Sequence, residues 1–315
     1  MIERESAIIF PGQGSQEKGM GRDLAEVEVQ AMELWRKAEK ISGHPLREIF
    51  WDGTAEDMSR TEFLQPALTV VNLNLWFFFR NRLQARAMAG HSLGEYCALC
   101  SSGVLEAEQT LELVSLRGRL MADSGLDSPG TMGAVLKLEL SKVEELAAKA
   151  SQESGQTLVM ANYNTAAQFV VSGHGAAVKV MEKMVSESGG RLVRLAVSGA
   201  FHSPLMAEAA RELAGMMNRI HWKAPSCEVF FNSTSRPEYN PEKIKELMQK
   251  QMTSPVYFFQ LINNISQKGL SSYIELGPKG ILTRMVSQIL GKDKKVTAVN
   301  ISGINDRHKL KAADG

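Results

Sequence analysis

Residues 85–101 read ARAMAGHSLGEYCALCS, and this stretch decides the fold. Ala85 to Ala89 is small and apolar, as expected of a central strand, and Glu95 to Ser101 is typical of a helix. Gly90-His91-Ser92-Leu93-Gly94 lies between them and fits the G-x-S-x-G pattern of a nucleophile elbow. Its glycines allow a tight turn, and the helix N-terminus offers backbone N–H groups to an oxyanion beside the serine. The stretch predicts a strand–turn–helix unit with Ser92 at its tip, with a chance match in an ordinary turn as the alternative.

The same alternation of strand and helix continues on both sides of this stretch. Ala7 to Phe10 is a short apolar run ended by Pro11-Gly12, which indicates a buried strand and a turn. Helices are predicted over Leu24 to Lys40, Phe63 to Leu83 and Glu106 to Met121. Repeated strand–helix units favour a parallel sheet with helices on both faces.

The regular alternation of strand and helix ends between residues 125 and 130, and a different order of elements follows. Met132 to Leu138 is typical of a strand, and Ser141 with Glu144 three residues later resembles a capping box that opens a helix. Two more strands, a helix and a strand over Arg191 to Val197 complete the order β-α-β-β-α-β, the split βαβ motif of ferredoxin-like domains. We therefore expect a small domain over 130–197, inserted into a larger domain made of 1–129 and 198–315.

Composition excludes several classes of protein. The 315 residues are 44% hydrophobic and 23% charged, close to a globular average, and the formal net charge is +1. A protein that binds the phosphate backbone of nucleic acids would normally carry an excess of basic residues, so this charge balance gives no support to that function. Three cysteines cannot form a disulfide framework, which favours a reducing, cytoplasmic location. The charged N-terminus argues against a secretory signal, and the most apolar stretch, 66–79, is shorter than a membrane span. The polar tail from Asn305 to Gly315 is expected to be frayed.

A nucleophilic serine needs a base, and the chain has six histidines. His91 adjoins Ser92, but neighbouring side chains diverge at a sharp turn. His202 lies in the small-residue loop Gly199–Pro204, where Ser203 and Pro204 form an N-cap and first position of a helix. A helix N-terminus disfavours imidazolium, so His202 is predicted to stay neutral and able to accept a proton. An ordinary, hydrogen-bonded loop histidine is the alternative.

Arg117 is the most informative single residue. Its helical neighbours three and four positions away are all apolar, so its guanidinium points into the apolar face, whereas Arg119 points outward. A buried guanidinium without an anion is very costly. Either an internal carboxylate or the carboxylate or phosphate of a substrate must therefore pair with it.

Two further motifs predict no cofactor or metal. The loop Gly12-Gln13-Gly14-Ser15-Gln16 follows the first strand but fails the Rossmann and Walker patterns, since Glu17 and Met20 stand where a glycine and a lysine are required. It is better interpreted as a turn that presents backbone N–H groups. Cys97 and Cys100 form a single CxxC on an apolar helix, which indicates core packing and not zinc.

Together these segments resemble the malonyl-CoA:acyl carrier protein transacylases, over nearly the whole chain. The matching pieces are Pro11 to Gln16, Gly90 to Glu95, Arg117-Gly118 with Met121, Ala161 to Asn164, Gly199 to Met206, Gln251 ahead of Ser254-Pro255-Val256, and Glu275 to Pro278. In this order the set is highly specific, whereas the elbow alone is not.

The resemblance implies an α/β-hydrolase-like large domain with a ferredoxin-like insertion and the active site between them. It implies that Ser92 attacks the malonyl thioester of CoA while His202 removes its proton, that CoA leaves, and that the phosphopantetheine thiol of acyl carrier protein collects the malonyl group. Backbone N–H groups of Gln13 and Leu93 would hold the oxyanion, and Arg117 would pair with the malonyl carboxylate.

The resemblance also assigns the rest of the substrate site. Gln13, Met121 and Asn162 would line the gorge. Gln251 would lie beside His202, whose orienting partner would be a backbone carbonyl. Phe201 occupies a position where related polyketide acyltransferases that prefer malonyl carry Phe, and those that prefer methylmalonyl carry Ser. No bound cofactor or metal is implied, only malonyl-CoA as substrate and CoA as product. We expect a monomer that binds neither nucleic acid nor membrane.

Three alternatives stay open. The carrier protein could belong to fatty acid synthesis or to a polyketide line served by a free-standing acyltransferase. An α/β-hydrolase esterase shares the elbow, but its order is Ser, acid, late His, and 113 residues follow His202 here. A non-enzymatic binding module would leave Ser92 unreactive.

Overall fold

The structure is a computed structural model that describes residues 5–127, 130–291 and 295–310, without the side chains of 126 and 127. The strands are β1 Glu5–Phe10, β2 Gln84–Gly90, β3 Gly130–Leu136, β4 Leu158–Thr165, β5 Gln168–His174, β6 Arg191–Arg194, β7 Glu228–Phe230, β8 Pro237–Glu238, β9 Ser272–Leu276 and β10 Thr297–Ile301. The helices are α1 Arg22–Val27, α2 Val29–Ser42, α3 Leu46–Trp51, α4 Ala55–Ser59, α5 Thr61–Phe79, α6 Gly94–Ser101, α7 Ala107–Asp127, α8 Leu140–Ser154, α9 Gly175–Glu187, α10 Ala207–Met217, α11 Pro241–Lys250, α12 Phe258–Gln267 and α13 Ile281–Leu290. Short 3₁₀ helices cover Arg80–Arg82, Pro204–Met206, Gln251–Thr253 and Ile304–Lys309.

The larger sheet has six strands in the order β10-β9-β1-β2-β7-β8. Its first five strands pair in parallel, and β8 pairs antiparallel with β7 at the edge. The apolar run of β1 divides between two cores: Ile8 and Phe10 face one, and Ala7 and Ile9 face the other. Helices cover both faces, which confirms the parallel, doubly covered sheet predicted from strand–helix alternation.

The register of this sheet gathers the loops that carry the predicted site. Phe10 pairs with Gly90, so β1 and β2 end side by side at the carboxyl edge. β7 ends at the same level, since Phe230 pairs with Ala89. Ligands of open parallel sheets bind at this edge, where the loops after the strands converge.

The second sheet has four strands in the order β4-β5-β3-β6, and each neighbouring pair is antiparallel. Helices α8 and α9 pack on one face, around a core that includes Val143, Val171 and Val178. The other face carries Met132 and Ala134 toward the larger sheet's loops.

A short bridge joins the two sheets. The Tyr163 backbone N–H of β4 donates to the Val256 carbonyl, and the Val256 N–H donates to the Ala161 carbonyl, both over 2.8 Å. The Tyr257 N–H in turn donates to the Asn232 carbonyl over 2.9 Å. Residues 251–257 are therefore held between β4 and the carboxyl edge of the larger sheet.

Some expected element bounds are wrong. The helix over Leu24 to Lys40 is broken at Glu28, whose backbone is extended, into α1 and α2. Ser141 lies inside α8, since Glu139 is the N-cap and no side chain caps the helix. The last predicted strand of the small unit ends at Arg194, three residues early.

The tail is ordered further than expected. Ile304–Lys309 forms a 3₁₀ helix, and Leu310 is buried in the larger core. The rest of the predicted frayed tail, residues 311–315, lies outside the described residues, as do residues 1–4 of the N-terminal segment and the predicted domain boundary at 129. Within the described ranges no helix is both long and apolar enough to cross a membrane.

Candidate active site

Ser92 lies at the tip of a strained turn between β2 and α6. Its backbone φ is 52°, a left-handed value that a non-glycine residue adopts only when the surroundings impose it. A Cβ at Gly90 would lie 1.8 Å from the Gly94 carbonyl carbon, and one at Gly94 would lie 2.0 Å from the Phe10 carbonyl oxygen. The two glycines are therefore required by close packing of the turn, and Ser92 carries the strain.

Asn232 holds this turn in place. Its Oδ1 accepts the Ser92 backbone N–H at 2.7 Å, and its Nδ2 donates to the Gly90 carbonyl at 2.6 Å. Asn232 lies two residues after the end of β7. Sequence reasoning missed this residue, although a polar residue at the carboxyl end of a central strand was the available signal.

His202 contacts Ser92 directly. The Ser92 Oγ lies 2.7 Å from His202 Nε2. Nδ1 lies 2.9 Å from the Ser254 carbonyl and 3.2 Å from the Gln251 carbonyl, so it carries the proton and donates it there. Nε2 is then free to accept the serine proton. Burial, and after it the charge of Arg117, lowers the pKa of His202 to about 3, so the imidazole is neutral at pH 7.

Arg117 is buried on α7, 1% exposed, whereas the Arg119 side chain is 63% exposed, as predicted. Its Nε donates to Gln251 Oε1 at 3.2 Å, Nη1 donates to Gln65 Oε1 at 2.8 Å and Nη2 donates to Ser92 Oγ at 3.2 Å. No carboxylate of the described residues forms an ion pair with it. A guanidinium has five N–H groups, and these contacts use three of them, all on neutral partners. Gln65 was missed from sequence, although it is a polar residue in an apolar helical stretch, the same signal that singled out Arg117.

Glu95 and Gln251 lie behind the serine. Glu95 Oε1 accepts the Asn232 N–H at 2.7 Å, and Oε2 accepts Gln251 Nε2 at 2.8 Å. Burial raises the pKa of Glu95 to about 7, opposed by these two hydrogen bonds and by the charge of Arg117. Gln251 was expected among the substrate contacts. It does not line the cleft, because its amide is fully used by Arg117, Glu95 and the Ser92 carbonyl.

A cleft of about 190 Å³ opens in front of Ser92, between the two sheets. Gln13, Leu93, Met121, Asn162 and Phe201 line it, together with Arg117 and His202. Throughout the described ranges the backbone N–H groups of Gln13 and Leu93 have no hydrogen-bond acceptor. Both are available to an oxyanion at the serine.

His91 does not contact Ser92 through its ring. Its Nε2 lies 2.8 Å from Asn164 Oδ1, its ring packs against Phe258, and burial lowers its pKa. Asn164, at the end of the matching segment Ala161 to Asn164, is thus a further cleft residue, to which the sequence analysis gave no role. Burial also raises the pKa of Cys97 and of Cys100 to about 12, so both are thiols packed in the core. The described side chains include no group of three or more His, Cys, Asp or Glu suited to a metal ion.

Similarity to known proteins extends over nearly the whole chain. Residues 7–312 match the acyl transferase domain family. The malonyl CoA-acyl carrier protein transacylase of Staphylococcus aureus (strain MW2) is 35% identical over 94% of this chain and 95% of its own length. An acyl carrier protein S-malonyltransferase from Vibrio cholerae superimposes with a TM-score of 0.90 at 34% identity, over 97% of this chain and 99% of that one. A malonyl-transacylase solved with its type II polyketide synthase acyl carrier protein gives a TM-score of 0.88 at 30% identity, over 98% of each chain.

With a serine–histidine pair at a strained elbow, and with matches of this extent in sequence and in structure, the chain belongs to the acyl transferase domain family, and the members to which it is similar are malonyl CoA-acyl carrier protein transacylases.

Proposed function

We propose that this acyltransferase moves a malonyl group from CoA to the phosphopantetheine thiol of acyl carrier protein, through an ester on Ser92. The observation that carries the proposal is Arg117. Its guanidinium is buried, lines the cleft, lies 3.2 Å from Ser92 Oγ and forms no ion pair with a carboxylate of the described residues. A carboxylate placed in the cleft would accept N–H groups from it, as a planar anion does from an arginine fork.

Ser92 and His202 carry the covalent steps. Ser92 Oγ attacks the thioester carbonyl while His202 Nε2 takes its proton. The backbone N–H groups of Gln13 and Leu93 stabilise the tetrahedral oxyanion. Its collapse breaks the C–S bond, and the CoA thiolate leaves with the proton from His202. The carrier thiol then attacks the Ser92 ester as His202 takes the thiol proton, and that proton returns to Ser92 Oγ when the ester breaks.

The remaining cleft residues select the acyl group. Arg117 holds the malonyl carboxylate, and Gln13, Met121 and Asn162 contact the acyl chain. The ring of Phe201 limits the space for a branch at the α-carbon, which favours malonyl over methylmalonyl. Gln251 acts from behind the cleft on Arg117 and on His202.

The domain organisation is part of the proposal. Residues 1–129 and 198–315 form an α/β-hydrolase-like domain, supported by the parallel sheet and the elbow on β2. Residues 130–197 form a ferredoxin-like insertion, supported by the element order and by the strand order β4-β5-β3-β6.

The working partners are malonyl-CoA and phosphopantetheinylated acyl carrier protein, with no bound cofactor. We expect a cytoplasmic monomer that binds neither nucleic acid nor membrane. Fatty acid biosynthesis is the favoured setting, since the curated relatives are named malonyl CoA-acyl carrier protein transacylases. Service to a polyketide line is the second candidate, favoured by the likeness to the malonyl-transacylase solved with a polyketide carrier.

The test is a two-stage transfer. Malonyl-CoA alone should add one malonyl group to the protein, seen by intact mass, and Ser92→Ala should not be labelled. Added carrier protein from each setting should then remove the label. A label that persists in Ser92→Ala would refute the elbow assignment, and loss of the label to water without a thiol would favour the esterase.

A further inference from the structure

Glu95 is a buried carboxylate that the covalent steps do not use. It lies in the first turn of α6, 2% exposed, directly behind Ser92. Both of its oxygens accept hydrogen bonds, one from the Asn232 backbone and one from the Gln251 side chain. A buried charge is normally satisfied by a cation, yet no ion pair joins Glu95 to Arg117 in the chain as far as it is described.

The contact with Glu95 fixes which way the Gln251 amide faces. Gln251 Nε2 donates to Glu95 Oε2 and to the Ser92 carbonyl, both at 2.8 Å. Its Oε1 is therefore turned toward Arg117 Nε, 3.2 Å away. The opposite orientation would set an NH₂ group against the guanidinium, donor against donor.

We propose that Glu95 is a positioning residue for the selection of acyl groups that carry a carboxylate. It orients the guanidinium of Arg117 through the neutral amide of Gln251, without contacting it. A carboxylate in direct contact would accept the N–H groups that the substrate needs and would cancel the charge that attracts it. The inference rests on the proposed function of Arg117.

The deciding variant is Glu95→Gln. It keeps the shape of the side chain but replaces one acceptor with a donor, while Asn232 and Gln251 still present two donors. One contact is lost, or Gln251 turns its NH₂ group to Arg117. We expect the ratio of kcat/KM for acylation by malonyl-CoA over acetyl-CoA to fall about tenfold, the effect of one lost hydrogen bond. The loss should lie in the malonyl-CoA KM, and acetyl transfer should change less than about twofold.

Glu275→Gln is the matched control. Glu275 is also fully buried, and it accepts the Thr283 backbone N–H and hydroxyl at 2.7 Å, with no contact to Arg117. Its variant should leave the malonyl-to-acetyl ratio unchanged. If Glu95→Gln does not fold, Gln251→Glu decides: it sets a carboxylate against Arg117 and should lower the same ratio.

An unchanged ratio in folded Glu95→Gln, or an unchanged ratio in Gln251→Glu, overturns the inference. Equal losses with malonyl-CoA and acetyl-CoA also overturn it, because they mean that Glu95 only supports the elbow. In either case a wild-type preference for malonyl-CoA leaves the proposed function standing. A wild-type protein that transfers no malonyl group overturns both.

Discussion

Arg117→Ala is the most informative perturbation of this site. It removes the guanidinium that lines the cleft, together with its positive charge. Charge-assisted hydrogen bonds contribute about 1.5–3 kcal/mol each, so a bidentate pair is worth about 3–6 kcal/mol. At about 1.4 kcal/mol per decade, malonyl transfer should fall roughly 10²- to 10⁴-fold in kcat/KM.

Acetyl-CoA provides the internal reference. Acetyl has the same thioester but no carboxylate, so in the wild type it leaves a desolvated Arg117 without an anion. Arg117→Ala removes that penalty, and acetyl transfer should rise relative to malonyl transfer. Arg117→Lys should recover malonyl transfer only in part, because an ammonium cannot form the bidentate pair.

The assay is kcat/KM for both thioesters with the wild type and both variants. Arg117→Ala also leaves Gln65 and Gln251 without a donor, so thermal unfolding must be measured beside it. A malonyl-to-acetyl ratio that is unchanged in folded Arg117→Ala would refute the assignment of Arg117 to the substrate carboxylate.

Four further outcomes are expected. His202→Ala should slow acylation of Ser92 by roughly 10²–10⁴-fold with the fold intact, and near wild-type acylation would place the base elsewhere. Burial lowers the pKa of His202 to about 3, so the imidazole stays neutral between about pH 7.5 and about pH 5, where an ordinary histidine becomes protonated. The rate of acylation by p-nitrophenyl acetate should therefore not fall over this range. A fall in that rate with a midpoint near pH 6.5 would contradict the buried, neutral imidazole. Asn232→Ala should cost about 1–3 kcal/mol for each buried group left unpaired, measured by urea unfolding, and should slow acylation; wild-type stability would mean that the elbow holds without it. Gly90→Ala should prevent a functional elbow, because its Cβ has no room, whereas Gly215→Ala in α10, with nothing within 4 Å, should be tolerated; equal behaviour of the two would contradict the packing argument.

The large sheet was predictable because its signals are local. Each signal, whether a short apolar run, a glycine-bounded serine or a helical stretch, is visible within its own short segment of the sequence. Errors arose where a tertiary contact overrides the local pattern. Leu310 packs into the core and orders a tail that is polar by composition, and nothing near Glu28 in the sequence signals the break between α1 and α2.

The site residues that could be predicted are those whose side chains stand out from their local sequence. Arg117 on an apolar helix face is buried as expected, and His202 in its small-residue loop meets Ser92. Asn232 and Gln65 were missed because their partners are distant in sequence. Asn232 lies 140 residues from Ser92, and Gln65 lies 52 residues from Arg117. Such contacts are set by the register of the sheet and by helix packing, which a single sequence does not display.

The backbone bridge between the sheets limits how the cleft can move. The Val256 segment that pairs with β4 is continuous with Gln251 and Ser254, whose carbonyls orient His202. If the four-stranded sheet moved away from the larger sheet, it would pull on these carbonyls and turn the imidazole away from Ser92. A form of the enzyme with the two sheets apart would therefore be inactive. Acyl groups must therefore enter between walls that stay fixed, and each arriving thioester meets a base that is already aligned.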